Sequence, residues 1–129
     1  MTKKRAFISF DYDHDEKVKI MLAGQAQYAD SPFDFKDNSV KDHLTGDWQE
    51  KVKRRMDNVD VVIVLCGQFT HTAAGVAAEL SIAKAKNKPY FLLAAYSDVS
   101  CTKPTSADRT DKVYKWTWPN LKALIGGSR

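Results

Sequence analysis

The 129-residue sequence predicts an α/β fold, a flavodoxin-like three-layer sandwich whose central parallel sheet has about five strands. Strand-like and helix-like segments alternate along the chain, with no linker or internal repeat between them. The run "VDVVIVLC" is almost unbroken in Val, Ile and Leu, which is typical of a parallel strand covered on both faces. The length suits a single domain over residues 1–129.

The strands are short runs of β-branched and aromatic residues, and the helices have apolar residues three or four positions apart. In order, the prediction gives strand 5–10, helix 14–28, strand 32–35, helix 47–58, strand 59–66, helix 72–87, strand 89–96, strand 113–118 and helix 119–127. The first helix is predicted from the helical spacing of apolar residues at Val18, Met21, Leu22 and Ala26. The segments 36–46 and 97–112 are polar, and no element is predicted in either of them.

The later helices are defined by their apolar faces and their ends. Trp48, Val52 and Met56 share one face of the second helix. Pro119 is predicted at the first position of the last helix and Gly126 just after its end, where these residue types are favoured.

Composition and charge exclude several classes of protein. No run approaches the roughly 20 apolar residues of a membrane span, and we expect no signal peptide. Cys66 and Cys101 have no metal-type spacing, Cys66 is predicted to be buried, and a reducing cytoplasm is the expected location. The basic residues that give the net charge of +4 are interpreted as solvated faces of helices, and no motif supports binding of nucleic acid.

Ligands of such sheets bind beyond the carboxyl ends of the strands, so a site is expected in the loops that follow the strands. A phosphoacceptor receiver needs an aspartate where this chain has Cys66, and a flavodoxin phosphate loop does not match the acidic "DYDHDEK". Neither a GxGxxG nor a P-loop motif is present. The nucleophile-elbow glycines of a Ser/His/Asp hydrolase are missing as well.

The acids around His14 are predicted to have a structural role. Asp11, Asp13, His14 and Asp15 could be interpreted as a metal cluster, but adjacent acids on a loop more often cap a helix. Asp13 or Asp15 is the predicted cap of the first helix. No metal site is expected.

Glu79 is the one acid in an otherwise small, apolar or basic helix. At 100° per residue it lies beside the apolar stripe of Ala73, Val76, Leu80 and Ala83 and borders the predicted core. An acid in the first half of a helix is also favoured by the helix dipole, by about 0.3–1 kcal/mol, so position alone does not assign it a function.

A resemblance to a known family gives Glu79 a role. "KRAFISFDYD" is similar to the opening of TIR domains, and the segment from "VDVVIVLC" to "KPYFLL" resembles their third strand, glutamate-bearing helix and fourth strand. The most similar sequences are the short TIR proteins of bacterial Thoeris anti-phage systems. In catalytic TIR domains this helix has the pattern Trp-x-x-x-Glu, and the glutamate is the key residue of NAD cleavage. Glu79 occupies that position, whereas Gly75 occupies that of the tryptophan.

The resemblance implies further substrate-binding residues. Phe10 matches an aromatic residue that the family places near the ligand, and Ser9 and Asp11 flank it. Ser39 lies in the loop that the family uses for assembly and ligand contact. Trp48 and Phe69 are candidates to supply the ring that Gly75 lacks. Core packing is the alternative for Phe10 and Trp48, capping is the alternative for Ser9 and Asp11, and loop polarity is the alternative for Ser39.

The chemistry of NAD cleavage can be carried out with one carboxylate. Nicotinamide leaves as a neutral molecule, so no proton donor is needed, while the ribose becomes oxocarbenium-like and a carboxylate stabilises that charge. Sugar hydrolysis, by contrast, needs two carboxyl groups. NAD is therefore expected as substrate and no cofactor is expected.

The first hypothesis is an NAD-cleaving enzyme that makes an ADP-ribose-derived signal, linear or cyclic, for a downstream effector. Gly75 favours a second hypothesis, a non-catalytic TIR-like module that binds a nucleotide or self-associates. A third is an enzyme similar to nucleoside deoxyribosyltransferases, which also depend on a glutamate. The sequence does not choose among the products or identify the trigger.

Overall fold

The computed structural model describes residues 4–11, 14–28, 31, 33–35 and 48–126, with the side chains of Phe35 and Trp48 left out. Five strands and four α-helices lie in these ranges. They are β1 (Lys4–Ser9), α1 (Glu16–Gln25), β2 (Phe33–Phe35), α2 (Trp48–Met56), β3 (Val61–Cys66), α3 (Ala74–Ala85), β4 (Tyr90–Ala94), β5 (Val113–Lys115) and α4 (Trp118–Ile125). A single 3-10 turn, Thr70–Thr72, precedes α3.

The five strands form one parallel sheet in the order β2-β1-β3-β4-β5. β3 is buried along its whole length, as its continuous apolar run predicts. Helices cover both faces of the sheet, so the predicted three-layer α/β sandwich is confirmed.

Two apolar clusters hold the helices against the sheet. One joins α1 and α4 to alternate residues of β1, β3 and β4, including Ile8, Ile63 and Leu93. The other joins α2 and α3 to the intervening residues, including Phe7 and Val64. The period-two alternation of each strand therefore decides which helix layer a side chain meets.

The first helix departs from its predicted apolar face. Val18, Leu22 and Ala26 are buried as expected, but Met21 is 64% exposed. Ile20, its neighbour, is also exposed. Helical spacing does not say which of several apolar edges meets the sheet, and here the edge of Val18 and Leu22 does.

Each element has at least one end that lies one to three residues from the prediction, and α3, β5 and α4 show the reasons most clearly. α3 begins at Ala74 because the 3-10 turn takes the residues before it. β5 ends at Lys115, and Trp118 begins α4 instead of ending a strand. Pro119 is therefore at the second position of α4 and not at the predicted first position. Thr117 caps α4 by accepting a hydrogen bond from the backbone N–H of Asn120. Gly126 follows α4 as expected.

The polar segment 97–112 is ordered by side chains that bind backbone. The Lys103 ammonium donates to the carbonyl oxygens of Asp108, Arg109 and Asp111 at 3.1–3.3 Å. Ser106 donates to the carbonyl of Ala77 and so ties the segment to α3. None of these bonds leaves a periodic pattern in the sequence.

Among the described residues, no helix is both long and apolar enough to cross a membrane.

Candidate functional site

The loops after β1 and β3 leave neighbouring strands at the carboxyl end of the sheet. β1 and β3 are neighbours at its centre, yet the helices that follow them, α1 and α3, pack on opposite faces. The loops leaving β1 and β3 therefore diverge, which is the arrangement in which open α/β sheets bind ligands. The predicted residues Ser9, Asp11 and Phe69 all lie at this point.

The side-chain alternation of β1 directs Ser9 toward α3. Ile8 and Phe10 belong to the cluster beneath α1 and α4, whereas Phe7 belongs to the cluster beneath α2 and α3. Ser9 is on the same face as Phe7 and is fully buried. Its hydroxyl donates a 2.8 Å hydrogen bond to Oε1 of Glu79.

Glu79 is a buried acid in a helix that packs on the sheet. Val76, Leu80 and Ala83 are buried as the predicted stripe, Ala73 is half-buried, and Glu79 beside them is only 2% exposed. Burial raises the pKa of its carboxyl from 4.5 to about 8, although the hydrogen bond from Ser9 partly opposes that rise. A neighbouring positive charge would favour the ionised form of this group.

The loop after β1 holds an acid and an imidazole in contact. Oδ2 of Asp11 is 2.6 Å from Nδ1 of His14, and Asp11 is 8% exposed while the His14 side chain is 46% exposed. The backbone carbonyl of Asp11 also accepts the N–H groups of His14 and Asp15. These bonds fix the turn that leads from β1 into α1.

A ring contact joins the two loops. The rings of His14 and Phe69 have centroids 4.5 Å apart and planes inclined by 33°. Phe69, in the loop after β3, is 43% exposed.

A second buried carboxyl links the loops at a deeper level. Asp15 is 2% exposed, and its Oδ1 accepts a 2.9 Å hydrogen bond from the hydroxyl of Tyr96, just after β4. Its Oδ2 lies 2.4 Å from where a Cβ atom on Gly67 would stand, so only glycine leaves room for it. Burial raises the pKa of Asp15. Asp15 occupies the cap position of α1, as one of the two predicted caps, but its side chain makes no cap bond, and Asp13 lies outside the described residues.

Cys66 lies at this edge of the sheet but is not suited to act as a nucleophile. Cys66 ends β3 and is buried as predicted, and burial raises the pKa of its thiol to about 12. A thiol with this pKa stays protonated near neutral pH and is a poor nucleophile. Within the described ranges, no group of three or more His, Cys, Asp or Glu side chains is placed to hold a metal ion.

A groove of about 410 Å³ lies between α2 and α3 and is lined in part by Lys53, Ile82 and Lys86. It contacts none of the predicted site residues whose side chains the structure describes, and it lies on a different face of α3 from Glu79. The candidate site is therefore the carboxyl end of β1 and β3, not this groove.

The chain matches the family model of the Thoeris protein ThsB, TIR-like domain, over residues 7–100. The chain belongs to this family. The resemblance in the opening strand and in the segment with Glu79 is thus confirmed at the level of the family. No curated protein matches the chain.

The TIR-like domain brings together some of the predicted residues and separates others. Ser9 meets Glu79, while Asp11 and Phe69 meet through His14. Phe10 is 2% exposed in the core, with the Lys19 ammonium 5.8 Å from its ring centroid. Ser39 lies outside the described residues, as does the side chain of Trp48.

Four residues at this edge of the TIR-like domain, His14, Asp15, Gly67 and Tyr96, were not predicted as site residues. Two of them carried a partial signal: His14 and Asp15 stand in an acidic run directly after β1. Gly67 and Tyr96 carried none, because only the folded chain shows that they meet Asp15.

Proposed function

We propose that this Thoeris TIR-like protein cleaves NAD, releases nicotinamide and passes on an ADP-ribose-derived signal. The observation that carries the proposal is the buried Ser9–Glu79 pair at the carboxyl end of the sheet. A carboxyl group at the border of the core, held by one hydroxyl, provides preorganised charge where an open α/β sheet binds its ligand.

The chemical step needs only this carboxyl. The bond from C1′ of the ribose to the pyridinium nitrogen breaks, and its electron pair leaves with neutral nicotinamide. Positive charge develops on the ribose, and the Glu79 carboxylate stabilises it. Water or a hydroxyl or nitrogen of the same nucleotide then bonds to C1′ and gives a linear or a cyclic product.

Glu79 must lose its proton before it can act in this way. With a pKa of about 8, the free protein holds much of Glu79 in the neutral form at pH 7. The pyridinium ring of NAD carries a positive charge, so its binding favours the carboxylate and releases the proton. Substrate binding and ionisation of Glu79 are therefore coupled.

The direct test is nicotinamide release by the wild type and by Glu79→Gln. We expect the variant to be slower by about 100-fold or more, because the substitution removes the charge and retains the shape. Glu50→Gln, at an exposed position of α2, is the matched control and should equal the wild type. Equal rates for Glu79→Gln and the wild type would remove Glu79 from the mechanism.

The pH profile gives a second test. Since only the ionised carboxyl is active, kcat/KM should rise about tenfold per pH unit below 8 and level off above it. A profile that is flat from pH 6 to pH 9 would contradict the assignment.

Gly75, at the position of the family's tryptophan, favours one rival: a TIR-like module that binds a nucleotide or self-associates without catalysis. Nucleotide binding in the absence of any nicotinamide release would support that rival. Base exchange on deoxynucleosides, with NAD untouched, would instead support an activity like that of the deoxyribosyltransferases. Identification of the products by chromatography separates all three.

The proposed setting is the cytoplasm, where NAD is available and a downstream effector can receive the product. A neighbouring gene for a protein that senses such a nucleotide would support this part of the proposal.

A further inference from the structure

The ring pair of His14 and Phe69 stands at the point where the loops after β1 and β3 diverge. The two ring centroids are 4.5 Å apart and the ring planes are inclined by 33°. Nevertheless, Phe69 is 43% exposed and the His14 side chain 46% exposed. The exposed area of both rings therefore lies on their remaining faces and edges, where a third planar ring can stack.

Hydrogen bonds hold the ring of His14 and the backbone of Phe69. His14 is fixed through Nδ1 by the nearly buried Asp11 carboxyl at 2.6 Å. The carbonyl of Phe69 accepts two bonds from Thr72, from its backbone N–H at 3.0 Å and its hydroxyl at 2.8 Å. A stacking surface that is already ordered loses little conformational entropy when a ligand binds.

The two loops are also held at a fixed separation below the rings. The Asp15 carboxyl fills the space beside Gly67, and the hydroxyl of Tyr96 binds its other oxygen. Asp15 adjoins His14 in the sequence, and Gly67 is two residues before Phe69. The contact between Asp15 and Gly67 thus sets the distance between the loops that carry the two rings.

The ring pair and the Ser9–Glu79 pair are connected through the end of β1. Asp11 follows Ser9 by two residues, so their Cα atoms are at most about 7 Å apart. Ser9 contacts Glu79 and Asp11 contacts His14. Both pairs therefore belong to the carboxyl end of the sheet, where an open α/β sheet binds its ligand.

We propose that His14 and Phe69 together bind the planar, positively charged pyridinium ring of the oxidised dinucleotide. This inference rests on the proposed function and names the part of the substrate that these residues recognise. The face of Phe69 attracts a cationic ring, and the carboxyl groups of Asp11, Asp15 and Glu79 lie at the same edge of the sheet. The neutral ring of the reduced dinucleotide gains neither attraction.

The test is an NMR titration of the Glu79→Gln variant, which does not consume the ligand. The probes are the imidazole resonances of His14, assigned by their loss in His14→Gln, and the ligands are NAD, NADH and AMP. We expect NAD to shift the His14 resonances, with NADH and AMP producing little change at the same concentration.

A second measurement compares affinities by calorimetry in the same Glu79→Gln background. Phe69→Leu should weaken the binding of NAD about tenfold or more, because base–aromatic stacking is lost while an apolar side chain remains. Met21→Ala, which shortens an exposed apolar side chain on α1, is the control and should leave the affinity unchanged.

The outcomes separate this inference from the proposed function. A wild type that releases no nicotinamide, together with His14 resonances that respond to NAD, would sink the enzymatic proposal and support the ring site. NAD that binds without moving the His14 resonances, or AMP that moves them equally, would overturn the ring site. Absence of NAD binding by both the wild type and Glu79→Gln would overturn both.

Discussion

Glu79 and Asp15 are two carboxyl groups buried to the same extent at the same edge of the sheet. Each is 2% exposed, and each accepts one hydroxyl hydrogen bond, from Ser9 at 2.8 Å and from Tyr96 at 2.9 Å. Burial raises the pKa of both. They belong to opposite helix layers, since Glu79 lies in α3 and Asp15 immediately precedes α1.

The two carboxyl groups have different surroundings. Glu79 stands beside an apolar stripe and contacts the end of β1, where a carboxylate can meet a ligand. Asp15 is enclosed by the loop after β3, and its Oδ2 has no hydrogen-bond partner in the described part of the chain. We conclude that equal burial does not imply equal surroundings: Glu79 borders the apolar stripe of α3 at the end of β1, whereas Asp15 holds two loops together.

The largest expected effect concerns the stability cost of Glu79. Its folded-state pKa lies above the unfolded value, so the folded protein binds the extra proton, and stability is lost as pH rises from about 4.5 to 8. Over that window, Glu79→Gln should gain roughly 5 kcal/mol in unfolding free energy relative to the wild type. Urea unfolding of both proteins from pH 5 to pH 9 measures the difference.

Glu50→Gln serves as the reference for that series, because Glu50 is exposed and lies in a surface ion pair with Lys53. Its difference from the wild type should not change with pH. If the curve for Glu79→Gln also runs parallel to that of the wild type, Glu79 is not the costly buried acid described here. Greater stability combined with lost activity would mark Glu79 as an acid retained for function.

The next effect tests the enclosure of Asp15. Gly67→Ala places a methyl group 2.4 Å from Oδ2 of Asp15, so the carboxyl or the loop must move. We expect a loss of about 1–3 kcal/mol in unfolding free energy, as for overpacked sites in general.

Gly24→Ala is the matched control for that substitution. Gly24 lies in α1 with nothing within 4 Å of an added Cβ, so alanine should stabilise the helix by about 0.5–1 kcal/mol. Chemical denaturation of both variants gives the two signs. A Gly67→Ala variant as stable as the wild type would show that Asp15 is free to leave its place.

The fold was predictable because its signals are local and periodic. The apolar run of β3 predicted a strand buried on both faces, and the alternation of strand-like and helix-like segments predicted a parallel sheet. The predicted apolar face of α1 was wrong in part, because more than one edge of this helix carries apolar residues. Met21 fits a helical apolar stripe but is exposed, because α1 turns its Val18 edge to the sheet.

The candidate site was only half predictable, for a related reason. Glu79 is conspicuous in a helix of small and apolar residues, and Ser9 was expected from the family resemblance at the end of β1. Asp15 looks like any of its acidic neighbours, and its burial depends on Gly67 and Tyr96, which are distant in sequence. A residue whose role comes from distant partners leaves no local pattern.

The smallest effect compares the two hydroxyl donors directly. Ser9→Ala removes the donor to Glu79, and Tyr96→Phe removes the donor to Asp15. Each hydrogen bond favours the charged carboxyl, so each variant should lose more stability at pH 9 than at pH 5.

The two variants should differ in size of effect. Ser9 is fully buried, and its loss leaves Glu79 without that bond at a cost of about 1–2 kcal/mol. Tyr96 is half-buried, so water can replace its hydroxyl and the cost should stay below about 1 kcal/mol. Urea unfolding at the two pH values tests the ranking, and a reversed order would mean that Asp15, not Glu79, is the acid more dependent on its partner.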